Sequence, residues 1–146
     1  MTSTENIQII YAEDYENNFR TKLIKDFYIA FTTQNATLVL DYVENDVHWQ
    51  ITDKALILGK EQFIKEVNQL ASLRIKKLHI KNIIVNGRTS AVNGVIHSEE
   101  HKNYSFCDIY HFSNANENAK IQRISTYMNN FSMDVANVCY KTVCYN

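Results

Sequence analysis

The chain has 146 residues, a length typical of one domain, and contains no proline and only three glycines, Gly59, Gly87 and Gly94. Glycine-rich phosphate-binding loops are therefore excluded, because they need closely spaced glycines that let backbone N–H groups approach a phosphate. With 15 basic and 16 acidic side chains the net charge is −1, so no overall field attracts the protein to nucleic acid or to an anionic membrane.

A long amphipathic helix is predicted near the start of the chain. Residues 1–13 lack clear periodicity and indicate a loosely held lead-in. From Asp14 onward, apolar side chains recur at the spacing of one helix face, at Phe19, Leu23, Phe27 and Ala30/Phe31. Arg20 falls on another face of this helix, where we expect a solvated side chain.

Two further helices and two short strands follow. A second helix is predicted over 36–43 with Asn35 as its N-cap, and 44–46 is predicted to be a turn. Period-two alternation then predicts a half-buried strand whose inner face carries Val47, Trp49 and Ile51. A second extended segment ends at Gly59, and a third helix has the apolar stripe Phe63, Ile64, Val67, Leu70 and Ala71.

The rest of the chain alternates like strands. Residues 74–85 lead into Asn86-Gly87, a strong signal for a type I′ hairpin in which both central residues take positive φ. Further strands are predicted over 88–97, 104–112 and 121–128. Three helices followed by an antiparallel meander predict an α+β fold, with the helices on one face of a curved sheet.

The chain shows no internal repeat and no linker. We therefore predict a single domain over 1–146, with its core at 14–130 and a tail at 131–146 that pairs with a sheet edge or a partner subunit. The N-terminus lacks the pattern of a signal peptide, and apolar runs such as 55–58 are far shorter than the ~20 residues that span a bilayer. An odd number of cysteines argues against a secreted disulfide scaffold. We expect a cytoplasmic protein.

The strand over 104–112 is the most informative segment. Because side chains on a strand alternate faces, one face carries four aromatic rings around a single carboxyl group, namely Tyr104, Phe106, Asp108, Tyr110 and Phe112. A carboxylate buried there must be paired, be protonated, or face a cavity that holds water or a ligand. Two interpretations follow: Asp108 orders the core through hydrogen bonds, or it belongs to a functional site.

Several segments share their order and spacing with a known superfamily. In chain order they are Phe27–Phe31 (FYIAF), Glu44–Trp49, Gly59 before the third helix, Ala91–Gly94, Tyr104–Tyr110 and Lys120–Tyr127. Over residues 19–130 this succession resembles the SnoaL-like branch of the nuclear-transport-factor-2-like (NTF2-like) superfamily, which includes ketosteroid isomerase and polyketide cyclases. The resemblance implies a cone of three helices against a strongly curved, mainly antiparallel sheet around an apolar pocket, and a homodimer through the outer face of the sheet.

The resemblance also implies roles for individual residues. In ketosteroid isomerase an aspartate base, a tyrosine and a protonated aspartic acid act together on an enolate. The protonated acid corresponds to Asp108. The tyrosine corresponds to Phe27, with Tyr28 one position further on and turned about 100° around the helix. The base falls at Gln50 or Ile51, and since neither side chain takes up a proton, isomerase chemistry by that mechanism is not expected.

The remaining reactive side chains do not suggest a second catalytic group. We expect surface or subunit-contact roles for the histidines, specifically His48, His97, His101 and His111. Cys107 lies opposite the aromatic face, and Cys139 and Cys144 lie in the tail at a spacing unlike a C-x-x-C site. We expect no metal site and no cofactor.

The combined pattern predicts an aromatic pocket that binds a small apolar or partly polar molecule. Its predicted lining is Phe27, Trp49, Ile51, Phe63, Phe106, Tyr110, Thr126 and Met128. One alternative is an isomerase, cyclase or hydratase that acts on a carbonyl-containing apolar substrate, with Asp108 and Tyr28 as candidate catalytic residues. The other is a dimerisation or scaffolding module whose core is filled. We expect no nucleic-acid or membrane partner, and we expect a homodimer.

Overall fold

The structure is a computed structural model that describes residues 7–52, 54–99 and 102–131. Three α-helices cover one mixed seven-stranded sheet. The helices are α1 (Phe19–Thr32), α2 (Ala36–Asp41) and α3 (Gly59–Leu70). The strands are β1 (Gln8–Ile10), β2 (Val43–Ile51), β3 (Ala55–Leu58), β4 (Ile75–Asn86), β5 (Thr89–Ser98), β6 (Asn103–Phe112) and β7 (Ile121–Phe131). Some predictions fall outside the described residues, namely those for the tail 132–146 with Cys139 and Cys144, and for His101.

The sheet has the strand order β1-β4-β5-β6-β7-β2-β3. The β1–β4 and β2–β7 pairs are parallel, and the other pairs are antiparallel. The predicted α+β class, with three helices on a curved and mainly antiparallel sheet, is therefore confirmed. Among the described residues, no helix has the length and apolar character needed to cross a membrane.

The prediction for the N-terminal segment is wrong in two respects. Residues 8–10 form β1, which pairs in parallel with β4, and a 3₁₀ helix follows at Glu13–Asn17. The α-helix does not begin at Asp14, because Asn18 is extended and its side chain accepts hydrogen bonds from the backbone N–H groups at the start of α1. A three-residue strand is too short to show periodicity, so only its pairing reveals it.

The buried face of α1 also differs from the prediction. Phe19 is 46% exposed, whereas Arg20 is 1% exposed. The Arg20 guanidinium lies 3.7 Å from the centroid of the Phe112 ring and donates a hydrogen bond of 3.0 Å to the Asn116 carbonyl. Contact with an aromatic ring and with loop carbonyls allows this cation to be buried, which no periodicity in the sequence indicates.

The second helix and the first long strand follow the prediction with one exception. Asn35 caps α2, since its side chain accepts a hydrogen bond from the backbone N–H of Leu38. The predicted turn at 44–46 is wrong, because these residues lie within β2, where pairing with β7 is irregular before His48. The alternation beyond that point is confirmed by the buried side chains of Val47, Trp49 and Ile51.

The β4–β5 hairpin turns one residue later than predicted. Asn86 pairs with Thr89, so the loop consists of Gly87 and Arg88. Gly87 has φ +60°, whereas Asn86 is not in the positive-φ region. Positive φ at the first loop residue alone is typical of a type II′ turn, which requires one glycine rather than two permissive residues.

The bend of the sheet is localised at Gly94 in β5. Ile80 pairs with Gly94 and Asn82 pairs with Asn93, so one residue of β4 is left over between the two pairs and forms a β-bulge. A Cβ atom at Gly94 would lie 2.2 Å from the carbonyl oxygen of His79 and 2.8 Å from Cζ of Phe106. Only glycine fits here, because the Phe106 ring packs directly on the β5 backbone.

Replacing Gly94 by alanine should destabilise the protein by about 1–3 kcal/mol, because the added methyl group overlaps a backbone oxygen that cannot move without breaking the β4–β5 ladder. Thermal or denaturant unfolding measures this effect. The matched control is Ser105→Ala, an exposed position on β6 that pairs with Val95, where the change should be within about 0.5 kcal/mol. Equal stability of the two variants would contradict the close packing at Gly94.

Candidate functional site

A cavity of about 60 Å³ lies between α1, α3 and the concave face of the sheet. Nine of the ten residues predicted for the site line this cavity, namely Phe27, Tyr28, Trp49, Phe63, Phe106, Asp108, Tyr110, Thr126 and Met128. Ile51 is buried in the core but does not line the cavity. It lies two residues beyond Trp49, which moves it about 7 Å further along the same face of β2.

The polar end of the cavity is built around Asp108 on β6. The hydroxyl of Tyr28 donates a hydrogen bond to Oδ2 of Asp108. The hydroxyl of Tyr110 lies 2.7 Å from the Tyr28 oxygen, to which it donates, and 3.3 Å from Oδ2 of Asp108. The first tyrosine comes from α1 and the second from β6, so this network joins the helical layer to the sheet.

The other oxygen of Asp108 is less well paired. Oδ1 is buried and has no hydrogen-bond partner among the described residues. Thr126 of β7 pairs with Asp108 across the ladder and is near enough to lower the pKa of its carboxyl group. The Thr126 Oγ1 atom accepts a hydrogen bond of 2.8 Å from Nε1 of Trp49. The indole N–H of Trp49 thus orients the Thr126 hydroxyl, which lies beside the Asp108 carboxyl group.

Burial raises the pKa values of all three titratable groups in this network. The pKa of Asp108 is raised because burial penalises the carboxylate, although the nearby hydroxyl groups of Tyr28, Thr126 and Tyr110 act in the opposite direction. The pKa values of Tyr28 and Tyr110 are raised well above the ordinary value, first by burial and then by the nearby charge of Asp108. Both tyrosines therefore remain hydroxyl donors, while Asp108 is the group whose charge can change.

The cavity has a buried base and a partly exposed mouth. Around the base, Trp49 and Phe63 have ring centroids 5.2 Å apart, and Tyr28 and Phe106 have centroids 5.7 Å apart. The half-buried side chains at the mouth are Leu70, Leu73, Ile75, Ile96 and Met128. A ligand entering between these aliphatic groups would meet aromatic rings first and the carboxyl group last.

Some lining residues were not predicted from the sequence. They are Phe31 and Thr32 at the end of α1, Leu70 and Leu73 after α3, Ile75 and Leu78 on β4, Ile96 on β5 and Ile124 on β7. Phe31 follows Phe27 at i+4, and Ile124 precedes Thr126 at i−2, so helical and strand periodicity could have identified both. The curvature of the sheet brings the β4 and β5 residues to the cavity. The one feature of the sequence that indicates this curvature is Gly94.

The remaining candidates lie away from the cavity. Gln50 is exposed and Ile51 does not reach the cavity, so neither position assigned to the base by the resemblance contributes to the site. His48 is exposed, and Cys107 is half-buried on the strand face opposite Asp108. The residues that the structure describes contain no group of three or more His, Cys, Asp or Glu side chains able to hold a metal ion.

Comparison with solved structures identifies the fold. An NTF2-like protein of unknown function from Burkholderia pseudomallei has a TM-score of 0.64 and 15% identity, covering 77% of this chain and 92% of that chain. A candidate polyketide cyclase from Sinorhizobium meliloti has a TM-score of 0.61 and 8% identity, covering 73% and 94%. A protein with the ketosteroid isomerase-like fold from Catenulispora acidiphila, in complex with trimethylamine, has a TM-score of 0.59 and 14% identity, covering 77% and 86%.

The chain therefore has the NTF2-like fold, and the predicted resemblance to that superfamily is confirmed at the level of the fold. No family model matches the chain, and no curated protein matches it. Since one fold of this kind hosts many activities, the function has to come from the cavity itself.

Replacing Asp108 by asparagine should remove a pH dependence of stability. Because the pKa of Asp108 is raised in the folded state, the folded protein binds this proton more tightly than the unfolded chain. The stability of the unmodified protein relative to Asp108→Asn should thus be highest below the ordinary carboxyl pKa of about 4 and fall as the pH rises through the raised pKa. Denaturant unfolding of both proteins between about pH 3 and 8 tests this, and a difference that grows with pH would contradict it.

Proposed function

We propose that this protein is a small-molecule-binding domain whose ligand occupies the aromatic cavity and contacts Asp108. The observation that carries the proposal is the cavity itself, which lies beside a buried carboxyl group with an unpartnered oxygen. Buried polar atoms without partners are rare in folded proteins, and a ligand is one way to satisfy them. A filled core, which the scaffolding interpretation requires, agrees less well with this arrangement.

The similar structures support the same proposal without identifying the ligand. The Catenulispora acidiphila protein holds trimethylamine, which is a small molecule of the size that this cavity would accept. The lining is almost entirely apolar, and its polar groups converge at one end, as in many ligand pockets. The ligand is accordingly small, mostly apolar, and polar at one end.

An enzyme acting on a carbonyl-containing apolar substrate is the second candidate. It is favoured by the contact between Tyr28 and Asp108, because a hydroxyl beside a carboxyl group of raised pKa suits proton transfer. Against it, the lining contains no second carboxyl or histidine among the described residues. An isomerase, cyclase or hydratase activity that disappears in Asp108→Asn would favour this candidate over simple binding.

A bulky side chain at the mouth should block binding. Ile96→Phe extends a half-buried mouth residue into the cavity, whereas Val95→Phe introduces the same ring on the other face of β5. We expect Ile96→Phe to weaken the binding of butanone or tert-butanol by about tenfold or more and Val95→Phe to leave it unchanged. The single indole N–H signal of Trp49 in NMR titrations reports binding, since this group lies in the cavity wall. Equal binding by the two variants would place the ligand elsewhere.

We also propose a homodimer through the outer face of the sheet and a cytoplasmic location. This face carries two exposed large hydrophobic side chains, Ile84 at 65% and Tyr127 at 52% exposure. Apolar side chains exposed on a sheet surface are typical of a subunit interface.

Sedimentation at micromolar concentration should show a dimer. Tyr127→Lys should shift the protein towards monomer, while the exposed-loop control Asn116→Lys should not. A monomer in the unmodified protein would contradict the proposal.

A further inference from the structure

The polar end of the cavity is acidic and has no basic partner. Among the described residues that line the cavity, Asp108 is the one carboxyl group, and Tyr28 and Tyr110 are the other titratable groups. The lining residues from α3, β2, β4, β5 and β7 carry no titratable group. No lysine, arginine or histidine of the lining compensates the carboxylate, so the ionised form of Asp108 needs a positive charge from an occupant, and protonation is the alternative.

The hydrogen bonds at this end leave one oxygen of Asp108 open. Tyr28 donates to Oδ2 of Asp108, and Tyr110 donates to Tyr28, so both tyrosine protons are used within the network. The Thr126 hydroxyl accepts from Nε1 of Trp49 and makes no hydrogen bond to Oδ1 of Asp108. Oδ1 of Asp108 is left without a partner, and its ionised form accepts hydrogen bonds. The group that complements this oxygen is a ligand N–H, and a positively charged N–H complements it best.

The walls of the cavity suit a cation as well. The rings of Phe31, Trp49, Phe63 and Phe106 surround the space next to the carboxyl group. The faces of aromatic rings attract cations, and the attraction is stronger where water is excluded. Methyl groups attached to a charged nitrogen make van der Waals contacts with the same rings, so one ligand satisfies the rings and the carboxylate together.

The volume limits the size of the occupant. A cavity of about 60 Å³ has room for about four to six water-sized spheres, if one such sphere needs about 10–15 Å³. This corresponds to a molecule of about four to six non-hydrogen atoms. The partly exposed mouth formed by Leu70, Leu73 and Ile96 admits a molecule of this size from solvent.

We infer that the ligand is a small organic cation, namely a protonated alkylamine whose N–H group donates to Oδ1 of Asp108 and whose alkyl groups contact the aromatic walls. This inference rests on the proposed binding function and specifies its ligand class. It requires Asp108 to be ionised in the complex. The two hydroxyl groups of Tyr28 and Tyr110 then stabilise the carboxylate from the other side.

The ionisation of Asp108 makes binding depend on pH with a defined sign. Burial raises the pKa of Asp108 in the empty cavity, and an ammonium group lowers it again. Tyr28 and Tyr110 stay protonated, because their pKa values lie well above the ordinary value for tyrosine. Alkylammonium affinity therefore increases as the pH rises through the titration of Asp108, and it stays constant above that range while the amine remains protonated.

Two probes of equal size test the inference. Trimethylammonium and acetone each have four non-hydrogen atoms, but only the first is a cation and only the second carries a carbonyl group. Calorimetric or NMR titration of the full chain near neutral pH should show that trimethylammonium binds at least about tenfold more tightly than acetone. Asp108→Asn should abolish this preference.

A measurement on the unmodified protein covers the case in which Asp108→Asn does not fold. Trimethylammonium affinity should increase as the pH rises through the raised pKa of Asp108, whereas acetone affinity should stay constant or decrease. If acetone binds as tightly as trimethylammonium, the cation inference is overturned and the proposed binding function stands. If acetone, butanone and trimethylammonium all fail to bind, the binding function and the cation inference are both overturned.

Discussion

The burial of one carboxyl group is the constraint around which the site is organised. Asp108 lies among aromatic rings on the concave face of the sheet, where an unpaired carboxylate would cost several kcal/mol, on the order of the desolvation penalty of a buried ion. The fold meets this cost with two tyrosine hydroxyls, of which Tyr28 is 80 residues away in the sequence. Helix α1 must therefore dock on the sheet in one position, because a shift of a few ångströms would break the hydrogen bond between Tyr28 and Asp108.

A bulge beside Gly94 contributes to the curvature of the sheet around the cavity. The extra residue of β4 beside Gly94 forms a bulge, and a bulge increases the local twist and bends the strand. Gly94 also lets the Phe106 ring rest on the β5 backbone. With a side chain at position 94 the ring would have to move towards the space that the cavity occupies. The same glycine thus serves both the curvature of the sheet and the volume inside it.

The sequence predicts those features of this arrangement that are decided by neighbouring residues along the chain. Alternation along β6 correctly places Asp108 among aromatic side chains, because strand periodicity is decided residue by residue. The position of the hairpin loop, the parallel pairing of β1 and the burial of Arg20 were predicted incorrectly. The hairpin loop is set by the local register of β4 and β5, whereas the last two features depend on contacts with distant segments, such as the Phe112 ring above the Arg20 guanidinium. The contribution of Ile96 to the mouth was missed for the same reason.

Two consecutive residues of helix α1 contribute to the cavity in different ways. The resemblance places the tyrosine at Phe27, yet in the structure both Phe27 and Tyr28 line the cavity. Consecutive helical residues point about 100° apart, so both reach one cavity only where the sheet curves around the helix. Phe27 then packs edge-on against the Tyr110 ring, with centroids 6.0 Å apart, while Tyr28 reaches Asp108.

Phe27 and Tyr28 have opposite effects on the ionisation of Asp108. Phe27 keeps water away and so favours the protonated acid, whereas the Tyr28 hydroxyl favours the carboxylate. The two effects oppose each other at one group, and the occupant of the cavity decides between them. A carbonyl oxygen would favour the acid and an ammonium group the carboxylate, so proton donation and cation binding are alternative uses of the same buried carboxyl group.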